Sequence, residues 1–341
     1  MKSLLEINNW VQMHGEELKT TLQPKKGRVP SLATLRRVVR DVAITTLEAT
    51  LSKFQSGLSD ETGGVGTVVT PDGRELHGLA LDGKTVRGAS AYGETVHLVS
   101  LVQHSSGIVL DQDKANEKLH ERRVAEKLLA RHDLQATVIT TDALHTCQKQ
   151  AKQIRQGGGD YLLVVKRNQR VMYEDIAAAF SVLPPKGTCE TECWQYEAIT
   201  VHHHGHGRTE THALASTPAL NHYLPFVDGG QVVRRTRTAI EHSTQEKSVA
   251  GEYLITSRDR QRVTLDQVEQ LRRGHWTIEN VTHYPRDGSF GEDRSTIRAG
   301  NAPQALAALR NAIAPYCVSK AGTHCPLAFV TVNAPRKFRC D

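Results

Sequence analysis

No run of about 18 or more apolar residues occurs in this 341-residue chain, so no membrane-spanning helix is expected. The opening MKSLLEINNW, Met1 to Trp10, has neither a long apolar core nor a small-residue cleavage site. A secretion signal is therefore not expected, and the expected compartment is the cytoplasm. Cysteine is sparse: Cys147, Cys189, Cys193, Cys317, Cys325 and Cys340 are scattered, which fits reduced thiols better than a disulfide framework. No internal repeat is found, which argues against a solenoid. A strong charge of one sign is missing too. Forty-three Lys and Arg against 37 Asp and Glu leave +6 and a pI near 9.0, a mild bias toward a polyanionic partner.

What is present is a chain of 38% apolar residues and mean hydropathy −0.43, long enough for one large domain with an insertion or for two domains. Residues 1–74 read as helical, with a piece around Leu4 to Leu18, a basic joint PKKGRVPS, and a second helix capped by Ser31 and carrying Leu32, Leu35, Val38, Val39 and Val42 on one face. Between Ser56 and Gly73, glycine, threonine and aspartate predict an exposed linker. From Glu75 the texture changes. ELHGLALDGKTVRG, TVHLVSLVQHSSG and Gly107 to Asp113 predict three strands, followed by a helix over 118–132, the strand ATVITTDAL, a helix over 146–156 and the strand DYLLVVK. That order describes an α/β fold, a ribonuclease-H-like mixed sheet flanked by helices. Alternating strands from Cys189 to Ser257 predict a β-rich insertion, residues 315–341 a poorly ordered tail.

The acids carry the chemistry. From Thr264, Leu265, Val268, Leu271, His275 and Ile278 recur at helical spacing, and Thr264 with Gln267 forms a capping-box start. Each helical residue turns by about 100°, so Glu279 borders the apolar stripe. Asp82 follows the apolar LAL, and Asp142 ends the strand ATVITT; either alone is an ordinary turn-former. Asp111 and Asp113 compete with them, but alternation points both to one face, toward solvent. Together, two strand-borne aspartates and a helix-borne glutamate can hold two divalent ions roughly 4 Å apart, the arrangement for in-line displacement at a phosphodiester. Oxygen-only ligands suit Mg²⁺ or Mn²⁺. Asp287, Glu292 and Asp293 are candidates to support such a site.

The blocks LALDGKTVRG, TTDALH, YLLVVKRNQ, HGRTE, RRGHWTIEN and FGEDRSTIRAGNAPQALAALRN resemble, in order, those of bacterial insertion-sequence transposases of the DDE type, in the branch that includes the H-repeat-associated proteins. The resemblance runs from about Ser31 to Ala314. It implies a catalytic domain over 75–314 with the β insertion at about 189–257, Mg²⁺ dependence, and the catalytic and metal-binding acids Asp82, Asp142 and Glu279. It also implies DNA partners, namely the element's terminal inverted repeats and target DNA, with a homodimer by analogy to the pairing of two ends. The expected function is phosphodiester cleavage at element ends and strand transfer. The alternative is a relic that binds DNA without cleaving it, kept open by a short amino-terminal region and by Arg167 and Gly288, which depart from the family's pattern, as does Thr282. The wider group's tyrosine, arginine and lysine around the glutamate correspond here to Arg272, His275 and Arg286.

Lys84, Arg87, Lys166, Arg208, Arg272, Arg273, His275 and Arg286 are candidates to contact DNA phosphates. Trp276, one turn before Glu279, is expected to pack in the core, with base stacking as the other reading. Cys189, Cys193, His202, His203, His204 and His206 have the residue types of a zinc site, but the loose C-x₃-C and the strand alternation of HHH favour exposed histidines.

Overall fold

The computed structural model describes residues 3–59, 67–91, 94–115, 120–182, 196–205 and 207–319. Four helices come first: α1 (Leu4–Met13), α2 (Gly15–Leu22), α3 (Leu32–Asp41) and α4 (Ile44–Ser59). Ser31 caps α3 by accepting a hydrogen bond from the Thr34 amide. Then follow β1 (Thr67–Val69), β2 (Glu75–Ala91), β3 (Glu94–Gln103), β4 (Val109–Ala115), α5 (Glu121–Ala130), β5 (Thr137–Thr141), α6 (Gln148–Gln156), β6 (Asp160–Val165) and α7 (Arg170–Val182). Next come β7 (Glu197–Gly205), β8 (Arg208–Thr217), β9 (Gln231–Glu241), β10 (Lys247–Thr256), α8 (Leu265–His275), a π-helix (Ile278–His283), α9 (Tyr284–Asp287) and α10 (Ala302–Ser319).

The sheet runs β4-β3-β2-β5-β6-β10-β9-β8-β7, with β1 paired to β2. Its first five strands, three antiparallel followed by two parallel, have the ribonuclease-H-like order. The β-rich insertion is not a separate block. β10 pairs antiparallel with β6, Tyr253 opposite Val165, so the inserted strands prolong the catalytic sheet across its free edge.

Alternation sorts the strand residues between two cores. Leu79, Leu81, Ile139 and Leu163 face Val124 and Leu128 of α5 and Ile154 of α6. Val138, Leu162, Val164 and Leu254 face Leu265, Val268 and Leu271 of α8. Ala80 meets Ile278 on that second side. The face bearing Ala80 therefore also bears Asp82.

Several expectations need correction. The predicted linker over 56–73 begins inside α4, takes in β1 and ends in the turn before β2, with residues 60–66 outside the described residues. The amino-terminal helices also dock on the catalytic block: Ser52 Oγ donates to the Leu110 carbonyl at 2.8 Å, and Leu4, Ile7 and Val39 pack on Ile297, Ala302 and Leu306. The helix expected to end near Ala314 continues to Ser319; the rest of the expected tail lies outside the described residues. No helix among the described residues is long and apolar enough to cross a membrane.

Candidate active site

Asp82 and Asp142 stand side by side because β2 and β5 are parallel neighbours in register, Leu81 opposite Thr141, and each aspartate is the next residue. β5 stops there, while β2 continues to Ala91. Asp142 accepts a hydrogen bond from the Leu144 amide at 2.9 Å, and Thr146 Oγ1 donates to the Asp142 carbonyl at 3.2 Å. This turn folds His145 back beneath the strand end, where it is fully buried.

Glu279 arrives from the opposite side, but not on the regular helix that its spacing predicts. The capping box of Thr264 and Gln267 is present, α8 ends at His275, and the chain widens into the π-helix that bears Glu279. Pro285, in the first turn of α9, has no N–H for the carbonyl four residues earlier, so the regular ladder gives way ahead of it. Within this wider turn His283 lies next to Glu279, Nδ1 to Oε2 at 3.5 Å, and its Nδ1 is 3.8 Å from Asp82 Oδ2.

Asp82 is thus the hub. Ligand atoms of Asp82, Asp142 and His145 lie within 4.8 Å of one another, as do those of Asp82, Glu279 and His283. Burial, then the Asp142 and Glu279 carboxylates, push the Asp82 carboxyl up to about 7. Glu279 is held below the usual range by its hydrogen bond with His283, against the opposing effect of burial. Asp82 is largely buried while Glu279 is exposed, so the acids meet at the rim of the sheet, an arrangement that suits a cation. The oxygen-rich donor set fits a hard divalent ion, and beside it stand two histidines that sequence reasoning missed, His145 and His283. The signal for His145 lay in its place three residues after Asp142, and for His283 in its spacing of four from Glu279.

Glycine next to Asp82 has a steric cause. A Cβ on Gly83 would stand 2.7 Å from His97 Nε2 and 2.9 Å from Glu121 Oε2, so only glycine lets these groups close in behind the site. On the other side, His104 fills the space between Gly78 and Gly274. Its Nε2 bonds Thr140 Oγ1 at 2.8 Å, and Thr140 Oγ1 bonds His275 Nδ1 at 3.0 Å. Burial, then Arg272, bring His104 down to about 3, so it is neutral. This string of neutral polar groups ties the strands of the aspartates to the helix leading into Glu279.

The cations expected at phosphates divide sharply. Arg272, His275 and Arg286 are buried and committed to the fold, which corrects that expectation. Arg272 forks onto Glu252 with both bonds at 2.9 Å, His275 holds Thr140, and Arg286 is enclosed by Glu292 and Asn311. Lys84 pairs with Asp287 at 2.5 Å, and Arg208 with Glu210 at 2.6 Å. Arg87, Lys166 and Arg273 are exposed. Trp276, expected in the core, is 48% exposed, with the Arg272 guanidinium over its ring at 5.6 Å. Asp111 and Asp113 pair with Arg131 rather than standing free.

Asp287, Glu292 and Asp293 link β2 beyond Asp82 to the segment after Glu279. Asp293 accepts from the Arg87 amide at 3.3 Å, and Glu292 joins Arg286 to Arg310. Thr282 is buried with its hydroxyl toward the Gly107 carbonyl, Gly288 closes α9 by bonding the Tyr284 carbonyl, and Arg167 lies over Tyr173. Cys189, Cys193 and His206 lie outside the described residues. His202 and His204 are exposed while His203 turns inward onto His212.

Residues 74–314 match the transposase DDE domain family. The chain belongs to that family. As a DDE transposase domain it is 29% identical over 241 residues to "Putative transposase YncI" of Escherichia coli O157:H7, covering 68% of this chain and 59% of that protein. It is also 29% identical over 243 residues to "H repeat-associated putative transposase YhhI" of Escherichia coli K12, covering 68% and 62%. The DDE chain thus matches about three fifths of the length of these relatives. The solved piggyBac transposase synaptic complex with hairpin DNA aligns over 72% of this chain and 48% of that one, at TM-score 0.36 and 12% identity, a likeness too slight to carry an argument.

Proposed function

We propose that this DDE domain cleaves phosphodiester bonds at the ends of an insertion sequence and joins the freed 3′ ends to target DNA. The observation that carries this reading is the placement of Asp82 between Asp142 and Glu279, each within ligand-sharing distance of it. Asp82, Asp142 and Glu279 would hold two divalent ions, Mg²⁺ or Mn²⁺, which when bound supply Lewis-acid activation of the attacking and leaving oxygens.

In the first displacement a water oxygen bonds to phosphorus as the P–O3′ bond breaks. In the second the freed 3′ hydroxyl oxygen bonds to a phosphorus of the target strand as that strand's own P–O3′ bond breaks and its 3′ oxygen leaves. Each exchanges one oxygen for another in line, so one acidic site serves both, without a covalent protein intermediate. Arg87, Lys166 and Arg273 are exposed cations suited to backbone phosphates, and Trp276 offers a face on which a displaced base can stack. The partners are terminal inverted repeats and target DNA, with two copies pairing the ends on nucleoid DNA.

The test is nicking of a duplex that carries the sequences flanking this reading frame, with and without Mg²⁺. Wild type should nick only with the metal, and Asp142→Ala should lower the rate by about a hundredfold or more, the scale on which loss of preorganised charge stabilisation acts. Equal nicking by both proteins would refute the assignment.

A further inference from the structure

The two histidines at the acidic site are held differently. His145 is fully buried and its Nε2 lies 3.4 Å from Glu121 Oε2, yet neither ring nitrogen has a hydrogen-bond partner among the described residues. Glu121 is itself buried in the first turn of α5 and also pairs with His97, whose Nδ1 lies 2.9 Å from Thr85 Oγ1. Each carboxyl oxygen of Glu121 thus faces a ring nitrogen, Oε1 that of His97 and Oε2 that of His145. An N–H on His145 Nε2 directed at Glu121 would leave the Nδ1 lone pair free. His283 has the reverse arrangement. Its Nδ1 lies between Glu279 and Asp82, and its Nε2 is buried without a partner among the described residues. Donating the Nδ1 lone pair there would strand a buried N–H on Nε2 without an acceptor, which is unfavourable.

We infer that His145 is a nitrogen ligand of the ion shared by Asp82 and Asp142, fixed in tautomer and direction by Glu121, and that His283 bridges Asp82 and Glu279 without ligating. A histidine that donates its second ring N–H to a carboxylate is the usual support for a metal-bound imidazole. The acidic ion site is then a mixed nitrogen and oxygen site. It favours Mn²⁺ over Mg²⁺ more than three carboxylates alone would, because imidazole suits the transition ion. The inference rests on the reading of Asp82 and Asp142 as metal ligands.

The test is pulsed electron-spin resonance of Mn²⁺ added to the full chain without DNA. Wild type should show nitrogen coupling that changes its pattern when the histidines are labelled with ¹⁵N. The coupling should persist in His283→Ala and vanish in His145→Ala. Glu121→Gln, which keeps the shape of the support, should retain the coupling while weakening Mn²⁺ binding by about 10- to 100-fold, and this variant decides should His145→Ala not fold. Bound Mn²⁺ without nitrogen coupling, coupling lost in His283→Ala, or unchanged affinity in Glu121→Gln would overturn the inference. Failure of the underlying reading looks different: Mn²⁺ affinity would then be unaffected by Asp142→Ala.

Discussion

The helical segment from Leu265 to His283 takes part in two groups of charge, built on opposite plans. Near its start, Glu269 meets Arg235 at 2.6 Å and pairs with His212, Arg235 reaches Glu252 at 3.0 Å, and Arg272 closes the chain on Glu252. Acid and base alternate, and although burial opposes it, Arg235 and His212 bring Glu269 down to about 2. Near its end, Asp82, Asp142 and Glu279 gather without an intervening cation, and Asp82 is driven the other way, up to about 7. One group pins α8 to the inserted strands. The other keeps carboxylates poised at the expense of the empty fold. The contrast separates a buried charge that holds structure from one that awaits a ligand.

Removing one partner from the alternating group should have the largest effect on stability. Glu269→Ala leaves Arg235 and His212 buried without their shared counter-charge and should lower the unfolding free energy by about 3–5 kcal/mol in urea. A loss below about 1 kcal/mol would show that this group does not hold the helix. Asp82→Asn should change stability in the opposite direction. In the metal-free protein the stability linked to the raised Asp82 carboxyl is fully present below its ordinary value of 3.8 and is lost as pH rises through about 7. Asparagine escapes that loss. The variant should therefore gain on wild type between pH 4 and pH 7 and stay ahead by about 2 kcal/mol at pH 8. A difference that ignores pH would remove the contrast. Arg273→Ala lies outside both groups and should change stability by less than about 0.5 kcal/mol. It should weaken DNA binding uniformly across sequences and reduce the salt slope by about one, measured by titration at several salt concentrations.

Much of this arrangement was legible along the chain. LAL before Asp82 and VITT before Asp142 announce strands with an acid within or just past them, and the spacing from Leu265 to Ile278 sets Glu279 at the edge of an apolar stripe. Those signals are local, set by alternation and helical period. The π turn was not legible, because it depends on how the segment before Pro285 settles against the sheet. Nor was the burial of Arg272, His275 and Arg286. A charged side chain looks the same in sequence whether it meets water or a distant counter-charge, and Arg272 finds Glu252 only because the inserted strands lie along β6.

The sequence by itself determined the order of the catalytic strands and the family, and it singled out three acids, since periodicity, turn chemistry and motif spacing are written in consecutive residues. Only the tertiary structure decided that the insertion prolongs the catalytic sheet, that His145 and Glu121 stand behind Asp142, and that three of the eight expected DNA-binding cations are sealed inside. The reason is that burial and pairing of charge are properties of neighbours in space, fixed when the strands take their register and α8 settles on the sheet.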